Sequence, residues 1–188
     1  VIFLIFFSLA VARINVVVIN LALDPSGATT PYRPHPGRQN LAAGLVALYT
    51  VVALVAPAST VPAYLALAAA AAFMDRLTEW FIGRAVFHTH VLALAGANLF
   101  AGVGFLLIGL SGLGAPLSPT TGLHMLSVAS LGLAVLSVFI IAGLRHTGRP
   151  LDLPWQAHAA VILMTGAGLV RVLPEIGVGS FFVGSHYI

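Results

Sequence analysis

The chain of 188 residues is 60% hydrophobic and 7% charged, and its formal net charge is +3. A soluble globular domain carries about 25% charged residues, so this composition excludes a soluble protein and predicts an integral membrane protein. The small positive charge needs no nucleic-acid partner. The absence of cysteine excludes disulfides, thiolate metal ligands and covalently attached haem.

Apolar runs, taken in chain order, predict an all-α, polytopic transmembrane bundle that forms a single membrane domain over residues 1–188. The period-2 alternation of a membrane β-barrel is absent, so each run is predicted to be a helix. We expect the chain to be a fragment of a longer protein, because it begins and ends inside apolar runs. Six complete spans and the start of a seventh are predicted at residues 1–23, 41–56, 61–81, 86–110, 122–144, 155–173 and 181–188.

Arginine marks alternate connections between these runs. The first, third and fifth connections contain Arg33 and Arg38, Arg76 and Arg84, and Arg145 and Arg149. The second and fourth connections contain no basic residue. Under the positive-inside rule, this alternation predicts that the arginine-rich loops face the cytoplasm.

Small residues recur along the fourth, fifth and sixth runs. Such residues let helices approach closely in lipid, so we expect these faces to pack together. They are Ala93, Gly96, Ala97, Ala101, Gly104, Ser127, Ser130, Gly132, Ser137, Gly166 and Gly168.

His124 is the first candidate for chemistry, because it opens the fifth run at the predicted periplasmic edge. Imidazole nitrogens ligate haem iron, copper and zinc. Leu123, Leu126 and Val128 are expected to provide a largely apolar surround that favours the neutral, ligating form. The alternative is an interfacial histidine that only donates a hydrogen bond. Met125 is either a soft copper ligand or a packing residue.

The other histidines lie mostly on the predicted cytoplasmic side. His88, His90 and His158 are metal or haem candidates, with simple interfacial hydrogen bonding as the alternative. His146 is a further metal or haem candidate. His88 and His90 would point to different faces of one helix, which argues against a shared metal unless the helix starts later. His35 is expected to be solvated, and His186 shares the periplasmic side with His124.

The turn after the fifth run is a candidate anion site. Gly148 can supply the left-handed conformation that ends a helix, and Pro150 prevents its continuation. Arg145 and Arg149 beside His146 could bind haem propionates or an anionic substrate, or instead lipid phosphates. Arg13, in the middle of the first run, could likewise bind a propionate or pair with a residue elsewhere in the protein.

Two further groups of charges are expected to be structural. Asp75, Arg76 and Glu79 resemble a solvated helix end with local ion pairs. Arg171 and Glu175 are one turn apart and can neutralise each other at the membrane interface.

The sequence from His146 to Leu151, His-Thr-Gly-Arg-Pro-Leu, resembles the hallmark of the NnrS family, and His124 matches that family's upstream histidine. These are polytopic bacterial membrane proteins associated with nitric oxide stress and denitrification. The resemblance falls in the family's C-terminal half, so the remaining half would be an intramolecular partner. It implies haem and copper as cofactors and the bacterial inner membrane as location. Ala95 stands where the family pattern has a second histidine.

Two classes of function follow. The first is an NnrS-like protein that binds haem and/or copper; the second is a multi-helix transporter whose histidines and arginines line a substrate path. No nucleotide-binding loop, His-Glu-x-x-His motif or serine nucleophile elbow is present. We therefore assign no enzymatic reaction and favour a non-enzymatic role. The sequence does not predict an oligomeric state.

Overall fold

The computed structural model describes residues 13–20, 33 and 35–177, and no strand occurs within those ranges. The predicted all-helical fold is confirmed for this part of the chain. Its helices are α1 (residues 13–20), α2 (Pro36–Val55), α3 (Val61–Arg76), α4 (Thr89–Gly112), α5 (Pro119–His146) and α6 (Trp155–Gly177).

Three helices, α4, α5 and α6, are long and apolar enough to cross a membrane. Each exceeds the roughly 20 residues that a bilayer requires. The apolar part of α2, Asn40–Val55, is shorter. Six complete spans therefore stay a prediction, and the proposed seventh, at residues 181–188, lies outside the described residues.

The connection from α3 to α4 differs from the predicted boundaries. The third span was predicted to run to residue 81, but α3 ends at Arg76 and continues as a short 3₁₀ helix, Leu77–Trp80. A second 3₁₀ turn, Gly83–Phe87, delays the start of α4 to Thr89. Gly83 has a φ of 67°, a conformation that favours glycine and that breaks the helical path between the two turns.

Helix α4 is the element that the other helices share, and it packs against α3, α5 and α6. Close approach depends on glycine. A Cβ added to Gly104 of α4 would lie 2.7 Å from the Leu126 side chain of α5. A Cβ added to Gly168 of α6 would lie 2.6 Å from the Cβ of Ala129. The predicted packing of small-residue faces is confirmed here, although Gly166 faces open space.

Helix α5 changes its winding near its beginning. Residues Met125–Leu131 form a π-helix between α-helical segments. Buried residues recur at every fourth position of α5: Thr121, Met125, Ala129, Leu133, Ser137 and Ile141. In a uniform α-helix, each such step rotates the face by roughly 40°. The wider π turns offset part of that rotation, so the buried stripe stays against α4 and α6.

The end of α5 has the geometry predicted for it. Gly148 has a φ of 70°. Its N–H donates to the Arg145 carbonyl at 3.1 Å, and the Arg149 N–H donates to the Leu144 carbonyl at 2.9 Å. This pair of bonds is a Schellman motif, which satisfies carbonyls that the helix end would otherwise leave free.

Large apolar side chains cover much of the outer surface of these helices. Phe139, Trp155, Ile162, Leu163 and Val170 are each more than two-thirds exposed. Exposed apolar surface on this scale is compatible with lipid contact.

Candidate functional site

His124 meets two charged residues of α6. Its Nδ1 lies 3.1 Å from Glu175 Oε1, and its Nε2 lies 3.1 Å from a terminal nitrogen of the Arg171 guanidinium. The other guanidinium nitrogen is 3.8 Å from the same carboxylate oxygen. The predicted Arg171–Glu175 pair is therefore present, but His124 joins it, which sequence spacing could not indicate. The expected apolar surround of the ring is wrong, since both ring nitrogens face charged groups.

These contacts suit one tautomer of a neutral imidazole. A guanidinium only donates hydrogen bonds, so a hydrogen bond from Arg171 requires a lone pair on Nε2. In that tautomer, Nδ1 carries the proton and donates to the Glu175 carboxylate. A carboxylate that receives the proton of one ring nitrogen is the usual support of a metal-ligating histidine.

Two buried side-chain oxygen atoms belong to Glu175, which contacts His124, and to Thr121, which lies about one helical turn before His124. Glu175 Oε2 and Thr121 Oγ1 are buried and have no hydrogen-bond partner among the described residues. Thr121 precedes His124 by three positions, so the two side chains project from neighbouring parts of one helix surface. Buried oxygens without a hydrogen-bond partner are costly in a folded protein.

The predicted anion-binding arginines divide between two sides of α5. Arg13 and Arg145 line one groove between α1 and α5, with a cavity volume of about 370 Å³. Arg149 instead lines a separate groove of about 410 Å³ between α5 and α6. Apart from the two arginines, the first groove is lined by apolar side chains: Ile14, Val17, Val18, Val138, Ile141 and Ala142.

His88 and His90 come closer together than predicted. Their rings stack with centroids 5.7 Å apart and an interplanar angle of 21°. The helix starts later than predicted, which was the stated exception: α4 begins at Thr89, so His88 lies before the helix in an extended conformation and the argument from helix faces does not apply. His90 is buried and His88 is exposed.

The remaining candidates do not converge on one site. His158 Nδ1 lies 3.1 Å from the Pro154 carbonyl, a local contact, and His146 is exposed at the end of α5. Met125 is buried in an apolar cluster with Leu107, Ala129 and Val172. Within residues 13–20 and 35–177, no group of three or more histidine, aspartate or glutamate side chains is arranged to hold a metal ion.

The expectation of a solvated helix end around Arg76 is wrong for two of its three residues. The Arg76 and Glu79 side chains are only 1% and 5% exposed, and they pair at 3.7 Å. Asp75 does remain exposed and pairs with Arg38 at 3.1 Å. The 3₁₀ turn at Leu77–Trp80 places Glu79 and Trp80 inside the bundle. The prediction of one helix through this region did not indicate that burial.

Comparison with known proteins gives one result. The family model described as NnrS protein matches residues 1–187, nearly the whole chain. Searches of curated proteins and of solved structures returned no match. The resemblance carried by His124 and by residues 146–151 thus extends over nearly the whole sequence, and the chain belongs to the NnrS protein family.

Proposed function

We propose that this chain is part of an NnrS-like membrane protein that binds haem, copper or both and acts in the response to nitric oxide or in denitrification. Membership of the family supports the general assignment. The observation that carries the proposal is the His124–Glu175 contact at 3.1 Å, which orients an imidazole for ligation.

The residues at His124 supply one imidazole as a ligand for a metal ion, although Arg171 faces its Nε2. Neutral imidazole suits copper, zinc and iron, and the carboxylate at Nδ1 raises its basicity. Further ligands would have to come from outside the described residues, since the described part supplies no third carboxylate or histidine here. His186, on the same predicted side of the membrane, is the candidate within this sequence.

The groove between α1 and α5 is suited to bind the propionate edge of haem rather than to ligate the haem iron. Arg13 and Arg145 offer guanidinium groups for propionates, and the apolar walls would accept a porphyrin edge. No histidine lines this groove among the described residues, so an axial ligand would have to come from elsewhere. Arg149 serves a different surface and is dropped from the propionate site.

We further propose that the chain crosses the bacterial inner membrane six times, with the arginine-rich loops in the cytoplasm. Under this topology, His124 lies at the periplasmic edge and the Arg13–Arg145 groove opens towards the cytoplasmic half. The two candidate sites would thus lie in different halves of the bilayer.

A transporter is the second candidate function. The observation in its favour is the buried ion pair of Arg76 and Glu79, because buried charges in membrane proteins are costly and often line substrate paths. A Soret band in the purified full-length protein would favour the haem protein, and its absence together with no bound copper would favour the transporter.

The direct test is His124→Ala in the full-length protein. We expect loss of bound copper, of the haem spectrum, or of both, because the substitution removes the one described imidazole with a supporting carboxylate. Metal analysis and the visible spectrum of equally folded samples measure the effect.

A matched control is His35→Asn, which removes an exposed imidazole but keeps a side-chain acceptor for the Gly37 N–H at the start of α2. It should leave metal and haem content unchanged. If His124→Ala also leaves them unchanged, His124 is only an interfacial histidine and the proposed site is wrong.

A further inference from the structure

We propose that the groove between α5 and α6 binds an anionic phospholipid, with the lipid phosphate at Arg149 and one acyl chain along the apolar walls. The groove has a volume of about 410 Å³, which is in the range of ligand-binding pockets. It is separate from the surfaces assigned to haem and to copper, so the inference does not depend on the proposed function.

The walls of the groove suit a hydrocarbon chain. They are formed by the apolar side chains of Phe139, Ile140, Leu144, Pro154 and Ala157. Thr147 also lines the groove, but its hydroxyl donates to the Gly143 carbonyl at 2.7 Å and is therefore engaged within α5. These walls offer no hydrogen bonds to a soluble anion, whereas an acyl chain of the bilayer can pack against them.

Arg149 supplies the charge at one end of the groove. Its side chain forms no ion pair with Asp152 or with any other described residue, so the guanidinium is available to a phosphate, which it can bind bidentately. The beginning of α6 at Trp155 adds a partial positive charge at the same end. The groove is thus complementary to an anionic headgroup, as are other basic pockets between membrane helices.

The charged and apolar parts of the groove lie in the order that a lipid requires. Arg149 and Pro154 belong to the loop between α5 and α6, where the chain leaves the predicted span. Phe139 lies seven residues before the end of α5 at His146, which corresponds to roughly 10 Å along the helix. Phe139 is 73% exposed, so this deeper end is open to surrounding lipid. A phosphate at the loop therefore directs its acyl chain towards Phe139.

Gly143 leaves room for the acyl chain between these two ends. A Cβ added to this glycine would have nothing within 4 Å. A larger side chain at this position would narrow the groove without a clash at its Cβ, so occupancy of the groove can be tested by substitution.

The test is photo-crosslinking of the full-length protein in nanodiscs with equal parts of phosphatidylglycerol and phosphatidylcholine that have the same acyl chains. Benzoyl-phenylalanine replaces Phe139 in one sample and Leu163 in another. Leu163 is the matched reference, because it is exposed on α6 at a similar depth, eight residues from the beginning of the helix, and does not line the groove. Mass spectrometry of the adducts gives the ratio of the two lipids at each position.

We expect the ratio of phosphatidylglycerol to phosphatidylcholine to be about fivefold higher at Phe139 than at Leu163, because only phosphatidylglycerol has a net charge for the arginine to attract. Arg149→Gln should lower the ratio to the Leu163 value, although the backbone N–H of this residue keeps its bond to the Leu144 carbonyl. The control Arg84→Gln removes another exposed arginine, which lines neither described groove, and should leave the ratio unchanged.

A second pair of variants tests the acyl chain. Gly143→Leu should abolish the enrichment at Phe139, because the added side chain fills the groove. The control Gly44→Leu changes an exposed glycine of α2 whose added Cβ would likewise have nothing within 4 Å, and it should have no effect. Enrichment that survives Gly143→Leu would show that no acyl chain lies in the groove.

The remaining outcomes are equally decisive. Equal ratios at Phe139 and Leu163, or an enrichment that survives Arg149→Gln, would overturn the inference. Adducts at Leu163 but none at Phe139 would mean that protein covers the groove, which overturns it as well. Loss of enrichment on addition of inorganic phosphate at constant ionic strength would identify the free anion as the ligand instead of the lipid. None of these readouts uses metal or haem content, so a failure of the proposed function is detected separately.

Discussion

At the scale of single residues, two of the ion pairs in the described part of the chain differ mainly in their access to solvent. Arg76 and Glu79 are almost fully buried, whereas Arg38 and Asp75, 3.1 Å apart, are 51% and 40% exposed. Water screens the exposed pair and supplies alternative partners for its charges, so its net contribution to stability is small. The buried carboxylate depends on its arginine, because desolvation of an uncompensated charge is costly.

We therefore expect Arg76→Met to destabilise the protein by about 3–5 kcal/mol, since it leaves Glu79 buried without its guanidinium. The control Arg38→Met should cost about 0–1 kcal/mol. Reversible unfolding by SDS titration in mixed micelles measures both free energies. Equal costs would mean that Glu79 gains access to water or becomes protonated when Arg76 is replaced.

At the scale of the elements, contact between α5 and α6 depends on the absence of side chains. Gly168 faces the backbone of Ala129, and an added Cβ would lie 2.8 Å from the Ala129 Cα. Gly166, two positions earlier on the same helix, has nothing within 4 Å of such a Cβ. The two positions form a matched pair for testing helix packing, because they differ in surroundings but not in helix or residue type.

Gly168→Ala should cost about 1–3 kcal/mol, because a helix backbone cannot move aside as a flexible side chain can. Gly166→Ala should be neutral or stabilise the helix by up to about 1 kcal/mol, since alanine has the higher helix propensity. The same SDS titration compares them. Gly168→Ala without a cost would show that α5 and α6 do not approach each other as described.

The packing of the small-residue faces could be predicted from the sequence, because small side chains in membrane helices mainly serve close helix packing. The π-helix at Met125–Leu131 could not, because hydropathy does not report the hydrogen-bond register of a helix. The contact of His124 with Glu175 joins residues 51 positions apart, and no local pattern reports such a distance. The sequence thus predicted His124 as a ligand at the beginning of a helix, but it did not predict the contacts of His124 with Arg171 and Glu175.

At the scale of the whole molecule, the fold class followed from composition, whereas the number of spans did not. Apolar runs separated by arginine-rich loops indicate helices, but α2 and α3 differ from α4 to α6 in length. Burial inside a bundle and contact with lipid both select apolar side chains, so composition cannot distinguish a short span from a helix buried among longer ones. The burial of Arg76 and Glu79 was not predicted for a related reason, because a charged side chain normally indicates exposure to solvent.

The orientation of α5 in the membrane gives the prediction at this scale. These 188 residues contain no cysteine, so an introduced thiol is the only one among them to react. Pro116→Cys, before α5, should react with a membrane-impermeant maleimide added to the periplasm. Asp152→Cys, after α5, should react only when the cytoplasmic face is opened. The reverse labelling would invert the proposed topology, and labelling of both from one side would remove α5 as a span.

The π-helix also affects how this protein tolerates insertions and deletions during evolution. Its turns hold an extra residue, so loss of one residue from Met125–Leu131 would let the segment close as an ordinary α-helix. Because the wider turns absorb that residue, both ends of α5 would keep nearly the same orientation about the helix axis, and His124 would still face α6 and Glu175. The same loss further along α5, in the α-helical part Gly132–His146, would instead rotate everything before it by about 100°. A one-residue alignment gap within Met125–Leu131 therefore marks a relative that keeps the histidine contact, whereas the same gap within residues 132–146 marks one whose histidine faces a different neighbour.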